Sequence, residues 1–284
     1  MTRKLLVIGG DGVMGSALAA QLRRQGRDVV ITSRRAATDL GVVRLDLRES
    51  LDRWTVPADT GAAVLCAAVT NQEQCLRDPE GTRAVNVEKT VLLAEKLALA
   101  GCFVVFLSTN YVFDGTRPAP IAEQSLCPKT EYGRQRAEVE IRLASLHTQV
   151  AMIRLTKVFH PNLPIVQAWQ RLLRAGQVIE AYEDYVCSPI PLREAVRCVA
   201  QIAEEARSGI WQLSASDDIS YAGIACVLAR NWEAPASLVR AVPAPVGRIE
   251  HLPAYATLDV SRAAAELGYR APSPANAVLQ AVNS

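Results

Sequence analysis

The sequence predicts an α/β protein with a doubly wound parallel sheet and a smaller C-terminal lobe, and three observations lead to this fold class. Short apolar runs alternate with helix-like segments through the first part of the 284 residues, the order expected of parallel βαβ units. The runs are almost continuously apolar, as in strands that are covered on both faces. A glycine-rich turn joins the first run to the first helical segment, and the pattern loosens after Phe159.

Seven apolar runs are predicted to form the strands of the sheet. In chain order they cover residues 5–8, 29–32, 42–45, 63–66, 103–107, 151–155 and 210–213. Helical periodicity lies between them at 15–25, 83–100, 131–146 and 192–206. Prolines make the stretch 231–255 loop-like, and a last helix is predicted over 261–267.

Composition argues against several classes of protein. Hydrophobic residues make up 50% of the chain, and 31 Lys+Arg against 29 Asp+Glu leave a net charge of +2. This balance gives no reason to expect a nucleic acid or an anionic membrane as partner. No apolar stretch approaches the roughly 20 residues of a membrane span. Seven cysteines without a C-x-x-C pair, and three histidines, predict reduced thiols, no metal site and a cytoplasmic protein.

The turn after the first strand has the spacing of a dinucleotide phosphate loop. Gly9, Gly12 and Gly15 follow the pattern G-x-x-G-x-x-G, and Val13 and Met14 lie where the helix begins. Glycines allow a tight turn and a close approach to a pyrophosphate, and the helix N-terminus offers free N–H groups. This context predicts a Rossmann-type cofactor site; an ordinary strand-to-helix turn is the alternative.

The residues after the second strand favour NADP(H) over NAD. A site for NAD is expected to carry an acidic residue there, whereas this chain has Ser33, Arg34 and Arg35. Arginine can grip a 2′-phosphate bidentately; a solvated basic pair is the alternative. After the third strand, Asp46, followed by Leu47, is predicted to meet the adenine amine, and a turn residue at a strand end is an equal alternative.

The late apolar run at 210–213 predicts two interleaved domains. Residues 1–158 are expected to form the NADP-binding Rossmann domain, with 189–214 returning to it. Residues 159–188 and 215–284 are expected to form the substrate-binding lobe. Ligands of doubly wound sheets bind beyond the carboxyl ends of the strands, so we expect the site residues to follow strands.

A hydroxyl, a phenol and a cation are predicted to form a carbonyl-reducing site. Thr109 follows the fifth strand, and Tyr132 and Arg136 stand four residues apart on the next helix, where they share one face. We expect the Thr109 hydroxyl to orient a carbonyl group and Tyr132 to supply the proton. The positive charge of Arg136 would favour the tyrosinate.

With these residues the chain resembles the extended short-chain dehydrogenase/reductase family. The resemblance rests on the glycine loop, the motif S-T-x-Y-V-F-D-G at 108–115, Ala67 and Ala68 after the fourth strand, and Asn86 in a helix. Within the family, the chain is similar to the dTDP-4-dehydrorhamnose reductases of nucleotide-sugar metabolism. The resemblance implies an NADP-dependent oxidoreductase that reduces the 4-keto group of a nucleotide sugar.

The resemblance also implies roles for particular residues. Thr109 and Tyr132 would keep the catalytic roles argued above, and Arg136 would join Tyr132, Ala67 and Ala68 on the cofactor. Six further residues are expected on the substrate side: Ser108, Asn110, Tyr111, Val112, Lys157 and Tyr185. The pair after Thr109 argues against a dehydratase, which is expected to carry Asp-Glu there.

One departure from the family pattern gives a rival function. Arg136 stands where the family carries a lysine, and arginine and lysine are not interchangeable. The alternative is a catalytically weak or inactive NADP-binding regulatory or scaffold protein of the same fold. The regulatory subunit of methionine adenosyltransferase, which resembles these reductases, illustrates it. The sequence leaves a homodimer open.

Overall fold

The computed structural model describes residues 3–35, 41–245 and 249–283. The strands are β1 (Lys4–Ile8), β2 (Val29–Ser33), β3 (Val42–Arg44), β4 (Thr60–Leu65), β5 (Phe103–Thr109), β6 (Val150–Leu155), β7 (Lys157–Phe159), β8 (Ile179–Tyr182), β9 (Val186–Cys187), β10 (Pro189–Pro191), β11 (Gly209–Leu213), β12 (Ile219–Ser220) and β13 (Val239–Val242). The α-helices are α1 (Val13–Arg24), α2 (Gln72–Arg77), α3 (Pro79–Arg83), α4 (Thr90–Leu99), α5 (Glu131–Leu143), α6 (Pro164–Arg174), α7 (Leu192–Glu204), α8 (Tyr221–Asn231), α9 (Ser261–Leu267) and α10 (Pro274–Val282).

The chain forms two compact units, each built from three segments. The first unit comprises Met1–Val112, Leu126–Arg154 and Val196–Trp211. The second comprises Phe113–Ser125, Leu155–Ala195 and Gln212–Ser284.

The first unit is built on a seven-stranded sheet with the order β11-β6-β5-β4-β1-β2-β3. The predicted α/β fold class is confirmed, and each of the seven predicted strands lies in this sheet. Strand β1 pairs in parallel with both β2 and β4, so that Leu6 lies opposite Val30 on one side and Ala63 on the other. Every residue of β5 is buried, which explains why its sequence is almost continuously apolar.

Two helices of the first unit differ from their predicted extent. The helix expected at 83–100 begins with a π-helical segment, Ala84–Lys89, before α4. There the Thr90 hydroxyl donates to the carbonyl oxygen of Val85, five residues earlier, at 2.9 Å. The helix expected at 131–146 ends as an α-helix at Leu143 and continues as a 3₁₀ segment, Ala144–Gln149.

The second unit has helices and short strand pairs that the sequence analysis did not predict. Strands β7 and β10 pair in parallel, β8 and β13 pair in parallel, and β9 and β12 pair antiparallel. Strand β13 lies inside the stretch expected to be a loop. The core of this unit includes Phe159, Trp169, Leu228 and Val278, and the last predicted helix is α9, with the bounds that were expected.

The observed units differ from the predicted domains in four segments, 113–125, 155–158, 189–195 and 212–214, all of which lie in the second unit. Residues 113–125, expected in the first domain, belong to the second unit, where Tyr255 N donates to the Gly115 carbonyl oxygen at 2.9 Å and Gln212 Nε2 to that of Pro120 at 2.9 Å. Residues 189–195 also belong to the second unit, because β10 pairs with β7. Within the described ranges, no helix is both long and apolar enough to cross a membrane.

Candidate functional site

The turn between β1 and α1 can be formed only by glycine at two positions. Gly9 has φ +87°, and a Cβ on it would lie 2.8 Å from the backbone nitrogen of Ala67. A Cβ on Gly15 would lie 2.2 Å from the carbonyl oxygen of Gly9. Gly12 is the N-cap of α1 and offers no side chain to its first amides, and the first turn holds no acidic residue. This helix end therefore keeps donors for an anion.

An open cleft of about 290 Å³ lies beside this turn in the first unit. It is lined by eight of the predicted cofactor residues, namely Gly9, Gly12, Ser33, Arg34, Asp46, Leu47, Ala67 and Ala68. Six others are not among the described lining residues, namely Val13, Met14, Gly15, Arg35, Tyr132 and Arg136. Cys66 also lines the cleft, and burial raises the pKa of its thiol to about 12, so the thiol stays protonated.

Hydrogen bonds hold the end of β2 in position where its polar side chains line the cleft. The Ser33 hydroxyl donates to Asp11 Oδ2 at 2.6 Å and accepts from the backbone nitrogen of Arg35 at 3.0 Å. Gly9 N donates to Thr32 Oγ1 at 2.9 Å, which ties the glycine turn to the same strand. Arg34 lines the cleft, and its positive charge is one of the causes that lower the pKa of Asp46. Ser33 thus has a protein hydrogen-bond partner, and Arg34 adds positive charge to the cleft wall.

Asp46 is held by a residue that the sequence analysis did not single out. Arg48 donates to both carboxylate oxygens of Asp46, with Nη2 at 2.6 Å from Oδ2. The side-chain hydrogen bond from Arg48 lowers the pKa of Asp46 to about 2, against the opposing effect of burial. The carboxylate therefore stays ionised and fixed in position at the cleft wall.

Asn86 connects the loop after β4 to the helix that carries Tyr132. Its Oδ1 accepts from Val69 N at 2.8 Å, and its Nδ2 donates to the Val69 carbonyl oxygen at 2.9 Å. The same amide group donates to Gln135 Oε1 at 2.8 Å. Gln135 in turn donates to Thr82 Oγ1 at 2.9 Å. This buried network fixes the cleft-lining loop and α5 to each other.

Helix α5 brings the phenol and the cation together as the spacing predicted. The guanidinium carbon of Arg136 lies 5.2 Å from the ring centroid of Tyr132 and 5.2 Å from that of Phe106. Arg136 is 4% exposed, and its Nε is buried without a hydrogen-bond partner among the residues that the structure describes. A buried cation without a carboxylate partner is costly. The arrangement therefore suits a site in which a ligand supplies the missing acceptors.

The start of α5 packs against the 3₁₀ turn Asn110–Val112 that follows Thr109. Thr130 caps the helix, and its hydroxyl accepts from Gly133 N at 3.0 Å. A Cβ on Gly133 would lie 2.2 Å from the Tyr111 carbonyl oxygen. The rings of Tyr111 and Tyr132 meet edge-on with centroids 6.5 Å apart. The close approach at Gly133 thus places Tyr132 beside the turn after β5.

Thr109 and its neighbours have distinct surroundings. Thr109 is buried, and its Oγ1 accepts from Tyr111 N at 3.3 Å and lies 3.4 Å from Asn110 Oδ1. The Ser108 hydroxyl instead donates to the buried carboxylate of Glu140. Val112 has no exposed surface, which places its side chain with the packing residues. Asn110 and Tyr111 are half-buried.

The other two predicted substrate residues lie in the second unit. Lys157 is exposed on β7. Burial of His160 is the main cause that lowers the pKa of this histidine, and the charge of Lys157 lowers it further. The ring of Tyr185 packs on that of Tyr221 with centroids 5.1 Å apart. Burial raises the pKa of the Cys187 thiol to about 12.

Several residues of the site were missed by sequence analysis. Asp11, Arg48, Gly133, Glu140 and Arg154 hold or line it, and their partners lie far away in sequence or across a turn. The glycine that directly follows Tyr132 is a local signal that could have been noticed. For a charged residue such as Arg154, the sequence does not show which carboxylate it pairs with.

The geometry fits a bound dinucleotide. A Cβ on Gly9 or Gly15 would fill the turn after β1, and the first amides of α1 have no side-chain cap. The Arg136 Nε has no acceptor among the described residues. No group of three or more His, Cys, Asp or Glu suited to a metal ion occurs within residues 3–35, 41–245 and 249–283.

Comparisons with known proteins identify relatives of this chain. The model of the family described as "RmlD substrate binding domain" matches residues 3–284. A dTDP-4-dehydrorhamnose reductase of Sinorhizobium fredii is 30% identical over 233 residues, covering 78% of this chain and 76% of the relative. Methionine adenosyltransferase 2 subunit beta of Bos taurus is 23% identical over 280 residues, covering 92% of this chain and 81% of the relative.

A solved structure shares the fold at lower identity. The dTDP-4-dehydrorhamnose reductase from Bacillus anthracis in complex with NADP superposes with a TM-score of 0.84 at 17% identity, covering 98% of each chain. The resemblance predicted from the glycine loop and the S-T-x-Y-V-F-D-G motif is confirmed, and the chain belongs to the family of the RmlD substrate-binding domain.

Proposed function

We propose that this protein is an oxidoreductase that uses NADPH to reduce the 4-keto group of a nucleotide sugar. The observation that carries the proposal is the buried guanidinium of Arg136, 5.2 Å from the ring centroid of Tyr132 on one face of α5, whose Nε has no hydrogen-bond partner in the described part of the chain. A cation in this position can stabilise the negative charge that forms on the phenolic oxygen as its proton is transferred. The name of the Sinorhizobium fredii relative supports a keto-sugar nucleotide as substrate.

The cofactor would lie along the carboxyl ends of the strands. Gly9, Gly12 and the first amides of α1 would hold the pyrophosphate, Arg34 the 2′-phosphate, and Arg136 the nicotinamide ribose. When bound, the reduced nicotinamide supplies the hydride for the carbonyl carbon.

Two side chains of the first unit would act on the carbonyl oxygen. Thr109 is a hydroxyl donor at the end of β5 and would polarise the carbonyl by a hydrogen bond. Tyr132 would donate its phenolic proton to the oxygen as negative charge develops there. Arg136 would then stabilise the tyrosinate, because its guanidinium lies beside the ring.

The test is turnover by a Tyr132→Phe variant. The variant should lose at least about 100-fold in kcat, the range given for general acid–base catalysis, and should bind NADPH like the wild type. Oxidation of NADPH is followed by absorbance with a panel of 4-keto nucleotide sugars. Retention of the thermal unfolding midpoint and of NADPH binding shows that the fold is intact. Wild-type turnover by Tyr132→Phe would overturn the mechanism.

The rival proposal is a cofactor-binding regulatory protein. Arg136 in the lysine position favours it, as does the 23% identity to a relative named as the beta subunit of methionine adenosyltransferase 2. In that case wild type and Arg136→Lys should both bind NADPH and oxidise none of it with any sugar of the panel. Turnover by either form supports the reductase.

A further inference from the structure

Glu140, one helical turn after Arg136 on α5, carries a carboxylate whose two oxygens are both engaged. Arg154 Nε lies 3.1 Å from Oε1 and 3.1 Å from Oε2, and Arg154 Nη2 lies 2.7 Å from Oε2. The Ser108 hydroxyl donates to Oε1 as well. The carboxylate of Glu140 and the guanidinium of Arg154 are both almost fully buried. The carboxylate is therefore saturated by donors from β5 and β6.

Arg136 stands four residues before Glu140, and yet the two do not pair. Opposite charges at this spacing on a helix ordinarily attract each other. Arg136 nevertheless makes neither a hydrogen bond nor an ion pair with the described part of the chain, and its Nε is buried without an acceptor. Its guanidinium lies against the rings of Phe106 and Tyr132 instead. Arg136 thus stays without an acceptor for its Nε while the carboxylate four residues after it on α5 is fully engaged by other donors.

We infer that Arg154 and Ser108 are positioning residues that keep the Glu140 carboxylate away from Arg136. Arg154 holds the Glu140 carboxylate with a two-pronged contact that arginine geometry favours, while Arg136, at the pairing distance of four residues on α5, lies against two aromatic rings instead. Arg136 is then left with its charge and donors for the cofactor ribose and for Tyr132. The inference rests on the proposed function, because it requires Arg136 to face a bound dinucleotide.

The alternative is that Ser108, Glu140 and Arg154 form a brace, a cluster that only holds β5, α5 and β6 together. A brace would have the same contacts but would respond differently to mutation. A brace is weakened by any loss of the ion pair. A device that protects Arg136 fails only when the carboxylate remains and its partner is removed. Removal of the carboxylate alone distinguishes the two cases. Glu140→Gln breaks the ion pair and leaves Arg154 buried without its partner, which weakens a brace, but it leaves no carboxylate that could turn to Arg136.

The experiment measures the Kd for NADPH of the full chain by fluorescence, without sugar substrate. Three variants are compared with wild type: Arg154→Gln, Glu140→Gln and the double variant. Arg154→Gln should weaken NADPH binding at least about tenfold and lower kcat, since Glu140 then turns to Arg136. The double variant should regain a Kd within about threefold of wild type, as should Glu140→Gln.

Glu140→Gln decides the outcome, and the double variant supports it. A loss of NADPH affinity in Glu140→Gln as large as in Arg154→Gln means that the cluster is only a brace, and wild-type affinity in Arg154→Gln means that Arg154 does not protect Arg136. Either result overturns the inference. Failure of wild type to bind NADPH or NADH overturns the proposed function itself.

A second pair of variants covers the case in which Arg154→Gln does not fold. Ser108→Ala removes one donor from Glu140 Oε1 but leaves the ion pair. It should weaken NADPH binding at least about threefold, and Ser108→Ala with Glu140→Gln should restore it. Equal affinities of these two variants contradict the inference.

Discussion

At the scale of single residues, Gly133 determines where Tyr132, the proposed proton donor, lies. A Cβ at this position would come within 2.2 Å of the Tyr111 carbonyl oxygen and 3.0 Å of Thr130 Oγ1. The nearest group is backbone and cannot rotate away, so the start of α5 would have to move. Gly133→Ala should therefore cost about 1–3 kcal/mol of unfolding free energy and lower kcat, as measured by urea denaturation and NADPH oxidation.

A matched control exists in α8. Gly223 also stands third in its helix, and its amide is likewise capped by a hydroxyl, that of Ser220 at 3.1 Å. A Cβ there would lie at an ordinary 3.5 Å from Ser220 Oγ, and its one close contact would be with the side chain of Ile219, with Cγ1 at 2.8 Å. Because that side chain can rotate, Gly223→Ala should cost less than about 1 kcal/mol. Equal losses in the two variants would show that the backbone contact at Gly133 is not decisive.

Arg34 and Arg35 are neighbours in the sequence, and comparing their variants tests which of them sets the preference for NADPH over NADH. Both are exposed, but only Arg34 is among the described residues that line the cleft. Loss of a bidentate phosphate contact should reduce the preference for NADPH over NADH about tenfold in Arg34→Ala. Arg35→Ala should change it much less. The two Kd values are measured for each variant, and equal effects would argue against Arg34 as the 2′-phosphate ligand.

Sequence reasoning at this scale succeeded where the local spacing sets the geometry. Tyr132 and Arg136 share a face because four residues make about one helical turn. It could not assign Arg48 to Asp46 or Arg154 to Glu140, because a charged residue has several partners within reach and only packing selects one. The Ser33 hydroxyl illustrates the same limit, since it donates to Asp11 across the glycine turn.

At the scale of elements, the π-helical segment Ala84–Lys89 buries one polar side chain, that of Asn86. Asn86 is fully buried there and makes hydrogen bonds with both backbone polar groups of Val69 and with Gln135. Asn86→Ala leaves these groups unsatisfied and should cost at least about 2 kcal/mol. Urea denaturation measures the loss.

The control for that element is an asparagine on the surface. Asn283 pairs with Asn231 at 3.3 Å in an exposed position. Asn283→Ala should therefore change the unfolding free energy by less than about 0.5 kcal/mol. A comparable loss in both variants would mean that burial of the Asn86 amide does not set its contribution.

The elements that were predicted are those with a long, uniform pattern. The strands of the main sheet were found because both of their faces are buried, which makes them continuously apolar. Strands β9 and β12 were not found, because two residues cannot show a period. Helix α6 was missed although it begins at Pro164 and buries Val166, Trp169 and Leu173, spacings that do carry a helical signal.

At the scale of the whole molecule, each unit contains a group that makes stability depend on pH. The pKa of Asp46 in the first unit is lowered to about 2 from an ordinary 3.8, so the stability it contributes is lost as pH falls from about 4 to 2. Burial, followed by the charge of Lys157, lowers the pKa of His160 in the second unit below 6.5. Its contribution is complete above that value and is lost as pH falls through the lowered pKa.

Two variants separate these contributions. Asp46→Asn should flatten the fall of the unfolding midpoint between about pH 4 and 2, and His160→Gln should flatten the fall that begins below about pH 6.5. Calorimetry of the cofactor-free protein over this pH range measures both. Unchanged pH profiles in the variants would contradict the assignments.

The path of the chain has a consequence for any attempt to isolate one half of the protein. Each unit is assembled from three separate segments, so no single cut yields either of them as one continuous polypeptide. A fragment that ends at residue 158 would lack β11 and leave β6 as a bare sheet edge open to pairing with other chains. A nonsense mutation or a proteolytic cut in the middle of the chain would therefore produce an aggregating remnant and not a working cofactor domain.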